Sequence, residues 1–319
     1  MIAALQWFAQ QGRHVLMAGL VLGIFMGLVL PDLVGGLQVI IAPIAVALLF
    51  LAFLRLGPDG VRAGVQGWQS AVLVVLVLQL ALPLVVALGF RAFGVESVLA
   101  LGVVLVLAGA PIIGSPNLAI LSGVSAPTAL RQLVLGTFLL PATVLPVFLL
   151  VPGLGAAREV IAIVAQLLVV IALASALGLW LRARGIVRAT PGSLAAIDAS
   201  ATLLLGLIVI ALMGAVGPAL LSGAMVWAVL ALVLALGFGL QLGTILLARG
   251  RLPDPQAAAL GQVAGNRNIA LFLGVLPPAL ASDLFLFIGL YQIPMFLTPL
   301  VMGRVYTRLR LQGAGSGFG

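Results

Sequence analysis

The chain has no cysteine, no lysine and a single histidine. Without cysteine there is no disulfide framework, no thiolate metal site and no sulfur nucleophile. Charge is scarce as well. Only 7% of the 319 residues are charged, whereas a soluble domain carries about 25%. A chain that is 64% hydrophobic cannot build a water-facing exterior from so little polar material. Soluble fold classes are therefore excluded. The apolar residues run on without the polar alternation of a transmembrane β-barrel, which excludes that class too. What remains is an all-α polytopic membrane protein. Its apolar content, 64% of 319 residues, divided by about 20 residues per span, gives roughly ten spans.

Breaks at proline, glycine and arginine clusters place the spans at 14–33, 38–56, 67–91, 97–122, 126–152, 157–182, 194–217, 221–249, 255–279 and 282–308. Arg13 precedes a long apolar stretch with no small-residue cleavage site after it, so the first segment reads as a retained span and not a signal peptide. Residues 312–319 (QGAGSGFG) read as a disordered tail.

All fifteen basic residues are arginine, and their placement is uneven. Twelve fall on one side of the expected membrane: Arg13, Arg55, Arg62, Arg131, Arg182, Arg184, Arg188, Arg249, Arg251, Arg304, Arg308 and Arg310. Arg91 and Arg158 fall on the other, and Arg267 lies inside a span. That asymmetry predicts an integral protein of the inner or plasma membrane with both termini cytoplasmic. It also accounts for the net charge of +8 as topology, so nucleic acid is not an expected partner. Membrane lipid is.

Ten spans divide into two fives, residues 1–153 and 154–311, and an odd number per half inverts the second half in the membrane. Inverted repeats of this kind are characteristic of secondary transporters. The fourth span contains Gly109-Ala-Pro111-Ile-Ile-Gly114-Ser115-Pro116-Asn117, and the ninth contains Gly261-Gln262-Val-Ala-Gly265-Asn266-Arg267-Asn268. Both interrupt an apolar run with glycine, proline or polar residues, and both are fourth in their half. Paired interruptions at corresponding positions are the best sequence pointer to a transporter binding site. A proline lacks the N–H that a helix interior needs, so the fourth span is expected to break at Pro111 and Pro116.

These segments, together with Gln79-Leu-Ala-Leu-Pro83 in the third span, resemble the bile acid:sodium symporter family and its wider bile/arsenite/riboflavin transporter superfamily. The resemblance implies a core domain and a panel domain. It further implies that spans four and nine cross as unwound helices in the core, that small organic anions bind in the cleft between the domains, and that sodium ions sit behind the crossing. Carried over by motif, Gln79, Ser115, Asn117, Thr128, Gln262 and Asn266 match ion-liganding positions, Thr128 across a gap. Ser115, Asn117, Asn266, Arg267 and Asn268 are the candidate substrate-binding residues. Three positions depart from the family pattern. Gln262 stands where the family has a glutamate shared by the ions, Asn266 where it has a liganding glutamine, and Arg267 where it has an asparagine. A neutral amide in place of a carboxylate weakens a sodium site, and a guanidinium nearby repels the ion. The expectation is that Arg267 replaces the coupling cation and that transport is sodium-independent. The alternative is a sodium-coupled symporter with neutral oxygen ligands. No other cofactor is expected.

Arg267 is the only cation deep in a span, where charge is expensive and marks a pathway or a pair. Asp198 is expected to pair with Arg267, to relay protons or to sit at the interface as a helix-entry carboxylate, and His14 reads as interfacial. Gly19, Gly23 and Gly27 lie four apart on one helix face and predict close packing within the chain ahead of a dimer contact. An intramembrane enzyme would need convergent nucleophiles, paired acids or metal ligands, and almost none are present. A channel or receptor-like protein is the competing class. A channel would more often carry one polar pore face than two matched breaks.

Overall fold

Residues 12–151 and 153–315 are described by a computed structural model, and most of them are helical. In chain order the elements are α1 (Gly12–Val29), α2 (Pro31–Val39), α3 (Ile41–Val65), α4 (Trp68–Ala92), α5 (Val98–Ala108), β1 (Ala110–Pro111), α6 (Ser115–Ser122), α7 (Ala126–Phe148), α8 (Ala157–Ala183) and α9 (Pro191–Gly214). They continue with α10 (Val216–Leu221), α11 (Met225–Ala248), α12 (Asp254–Gly265), β2 (Arg267–Asn268), α13 (Ala270–Leu273), α14 (Pro278–Asp283) and α15 (Phe285–Gly315). Local chemistry sets several starts. Ser97 accepts a hydrogen bond from the Ala100 N–H at 3.1 Å to cap α5, and Thr190 accepts from the Ser193 N–H at 3.2 Å to cap α9.

Among the described residues, seven helices are long and apolar enough to cross a bilayer. They are α3, α4, α7, α8, α9 with α10, α11 and α15. The chain is an all-α, polytopic integral membrane protein. The three remaining expected spans differ in kind. The first is a shorter apolar helix, His14–Val29, and the fourth and ninth are each divided. Of the tail read as disordered, Gln312–Gly315 continue α15, and 316–319 lie outside the described residues.

Two helices carry irregularities with a sequence cause. In α3, Gly57 takes a left-handed φ of 65° immediately before Pro58, so the regular helix stops at residue 56, where the expected span also ends. In α4, residues Leu76–Ala81 widen into a π-helical turn. Pro83 has no N–H to give the Gln79 carbonyl four residues back, and the Leu82 N–H bonds to Val77 instead. Single π turns of this kind recur at functional sites.

The chain folds as two compact units, each drawing segments from both halves of the sequence. The first comprises residues 1–62, 156–229 and 270–292. Here the glycine stripe of α1 lies against α9. A methyl group at Gly23 would fall 2.7 Å from the Ile210 carbonyl oxygen, and one at Gly27 would overlap the Gly214 carbonyl. The stripe thus packs within the chain. Gly27→Val is expected to destabilise the protein by about 1–3 kcal/mol through overpacking. Gly35→Val, at a position with nothing within 4 Å, is expected to be near neutral. Melting temperatures in detergent check the pair. In the same unit, Arg55 pairs with Asp198, and His14 is exposed. The Asp198 carboxylate is thus engaged in a partly exposed ion pair with Arg55 and not with Arg267.

The second unit comprises residues 63–155, 230–269 and 293–319. Its core includes a cluster of Ala119, Val124, Ile245, Val263, Met302 and Tyr306. Both interruptions fall in this unit.

Candidate functional site

The fourth span breaks where α5 meets Gly109, whose backbone is extended (φ −62°, ψ 147°). Pro111 follows and cannot donate to a continuing helix. The ninth span breaks after Gly265, with Asn266 non-helical (φ −124°, ψ 86°). The two broken stretches pair with each other. Ala110–Pro111 runs antiparallel to Arg267–Asn268, with Ala110 opposite Asn268 and Pro111 opposite Arg267. The Ile112 N–H then donates to the Asn266 carbonyl at 3.0 Å. This short ladder satisfies backbone groups that a lipid-facing break would leave bare.

Polar side chains tie the two breaks together. Gln262, fully buried in α12, donates its amide N–H to the Ser115 carbonyl at 3.2 Å. Ser115, at the start of α6, donates its hydroxyl to the Ile112 carbonyl at 2.6 Å. Asn266 donates its side-chain N–H to the Gln262 carbonyl at 2.7 Å and accepts from the Thr298 hydroxyl at 3.3 Å. Arg267 is 4% exposed. Its Nε donates to the Ala264 carbonyl at 2.9 Å, and one terminal nitrogen donates to the Gly109 carbonyl at 3.0 Å.

Ser115, Gln262, Asn266 and Arg267 are thus gathered at one place. Gln79 borders it: a methyl group at Gly136 would meet both Pro111 Cδ, at 2.9 Å, and the Gln79 amide oxygen, at 3.0 Å. The Gln79 amide N–H donates to the Gly136 carbonyl at 2.9 Å and to the Thr143 hydroxyl at 3.0 Å. The amide oxygens of Gln79 and Gln262 are both buried and accept no hydrogen bond among the described residues. Asn117 is exposed in the first turn of α6, and Asn268 is half-buried in the ladder. Thr128 stands at the start of α7, where its hydroxyl lies 2.8 Å from that of Ser125 and Ser125 caps its N–H.

A second buried network runs outward from Asn266. Tyr306 donates to the Gln241 amide oxygen at 2.6 Å, and the Gln241 N–H donates to the Thr298 hydroxyl at 3.0 Å. All three side chains are fully buried. Sequence reasoning missed them because Gln241 and Thr298 each stand alone in an apolar run and Tyr306 sits among the arginines at the end of the last span. The usable signal was that isolated polar residues within spans face the protein interior. Tyr306→Phe leaves the Gln241 oxygen without a donor, and the expected cost is about 1–3 kcal/mol. Thermal melting of the variant measures it.

A scan against protein-family models finds no match to this chain, and a search of curated proteins finds none.

The sodium ions implied by the resemblance can be tested against these donors. Half-helix C-terminal carbonyls commonly coordinate such ions, but here the Ala264 and Gly109 carbonyls already receive Arg267. The Asn266 oxygen accepts from Thr298, and the Ser115 hydroxyl donates to Ile112. The oxygens that remain, among them the amide oxygens of Gln79 and Gln262, are neutral, and with no carboxylate in the set and the Arg267 guanidinium bonded at both breaks they suit a sodium ion poorly.

Proposed function

We propose that the protein is a secondary transporter of small organic anions, built like the bile acid:sodium symporters, and that it works by alternating access around the paired helix breaks. The observation that carries the reading is the meeting of two interrupted helices in a buried two-residue ladder. Backbone irregularity within a membrane is tolerated where it is enclosed by protein or lines a wet cavity, and in carriers that is where the substrate binds. Both interruptions lie in one compact unit, as a core domain would require. In this reading the chain has ten spans in two inverted repeats and cytoplasmic termini, with short α1 as the first span and the divided segments as the fourth and ninth. Asn117 and Asn268, the two less buried amides of the set, present hydrogen bonds to the substrate. Ser115, Gln262 and Asn266 hold the breaks in register, and Arg267 offsets the negative ends of the two broken helices.

The test is counterflow in proteoliposomes preloaded with small carboxylates, dicarboxylates or sulfonates. Saturable uptake of labelled anion, driven by the unlabelled anion inside, is the expected result. Ohmic current without counterflow would make the protein a channel.

A further inference from the structure

We infer that Arg267 is a tethered cation: it supplies, from within the chain, the positive charge that the two facing helix C-termini require, so the crossing assembles without an ion from solution. The argument starts from the helix ends. The last carbonyls of a helix have no intrahelical donor, and together they carry about half a negative charge. Two such ends meet here. Ala264 lies in the last turn of α12, and Gly109 is the residue that terminates α5. Their summed partial charge is about one unit, and one guanidinium cancels it. Arg267 bonds to both carbonyls at once, at 2.9 and 3.0 Å. The planar fork of arginine reaches two acceptors at fixed angles, where an ammonium would act as a point charge. The position is 4% exposed, so the charge needs compensation, and those carbonyls contribute it.

With the negative helix ends neutralised, the field left at the breaks comes from the opposite, N-terminal end of α6, which favours an anion. The inference deepens the transport reading and rests on it for one consequence only: flux is sodium-independent.

The test uses the purified full-length protein and reads melting temperature, which needs no knowledge of the substrate. Wild type is expected to melt at the same temperature in sodium chloride, in choline chloride and with tens of millimolar guanidinium chloride, far below the molar range in which guanidinium denatures. Arg267→Ala opens a cation-sized gap between two carbonyls. It is expected to melt lower and to be raised specifically by guanidinium, because a ligand that binds only the folded state stabilises it. Arg267→Lys and Arg267→Gln separate charge from shape and keep the proposal falsifiable where Arg267→Ala does not fold. The lysine variant is expected to melt above the glutamine variant. Stabilisation of wild type by sodium over choline would overturn the proposal. An Arg267→Ala protein as stable as wild type or unmoved by guanidinium would do so too, as would a glutamine variant equal to the lysine one. Absence of counterflow for every anion would remove the transport reading and leave these melting results standing.

Discussion

Alanine at Asn266 is expected to abolish counterflow uptake and to lower the melting temperature. The side chain is fully buried and links α12 to α15. Its N–H is the donor seen for the Gln262 carbonyl, and its oxygen accepts from Thr298. Removing it leaves the Gln262 carbonyl without that bond, at about 1–3 kcal/mol. The Thr298 hydroxyl loses less, because it also has the Pro294 carbonyl at 2.9 Å. Stability therefore falls only moderately, whereas the ladder that holds the two breaks in register loses its side-chain support from α12. Uptake and melting, measured on one preparation, check both parts. Wild-type uptake would show that Asn266 serves packing alone.

Asn117→Ala is expected to behave differently: uptake falls at least about tenfold, the loss of one hydrogen bond to a charged group, while melting is unchanged. Asn117 is exposed in the first turn of α6, so no buried partner is orphaned by its removal. A lowered melting temperature with normal uptake would reverse its assignment. The contrast between two amides, one enclosed and one open, distinguishes the frame of the site from the groups that meet the substrate.

Much of this was legible in the sequence because prolines and glycines act locally. Gly109, Pro111 and Gly265 mark the breaks wherever the rest of the chain goes, and the glycine stripe of α1 announces a close packing partner. The pairing of the two breaks was less accessible, since it joins residues more than a hundred and fifty positions apart and depends on register. Gln79 was reached by motif alone, because the π turn around it depends on which carbonyl the helix leaves unbonded before Pro83. The Gln241–Thr298–Tyr306 chain could not be seen from spacing, because Gln241 stands on α11, far in sequence from Thr298 and Tyr306 on α15, and meets them only in the folded unit.

The absence of cysteine makes the central claim directly measurable. Gly114 is exposed at the fourth-span break, and nothing lies within 4 Å of where a side chain would project. A single Gly114→Cys substitution therefore places the only thiol of the chain at the site with little steric cost. In oriented vesicles, a membrane-impermeant maleimide is added to one face or the other. Alternating access predicts labelling from each face, with the ratio shifted by an anion that the protein exchanges. Labelling from one face only, or equal labelling from both that no exchanged anion alters, would contradict it.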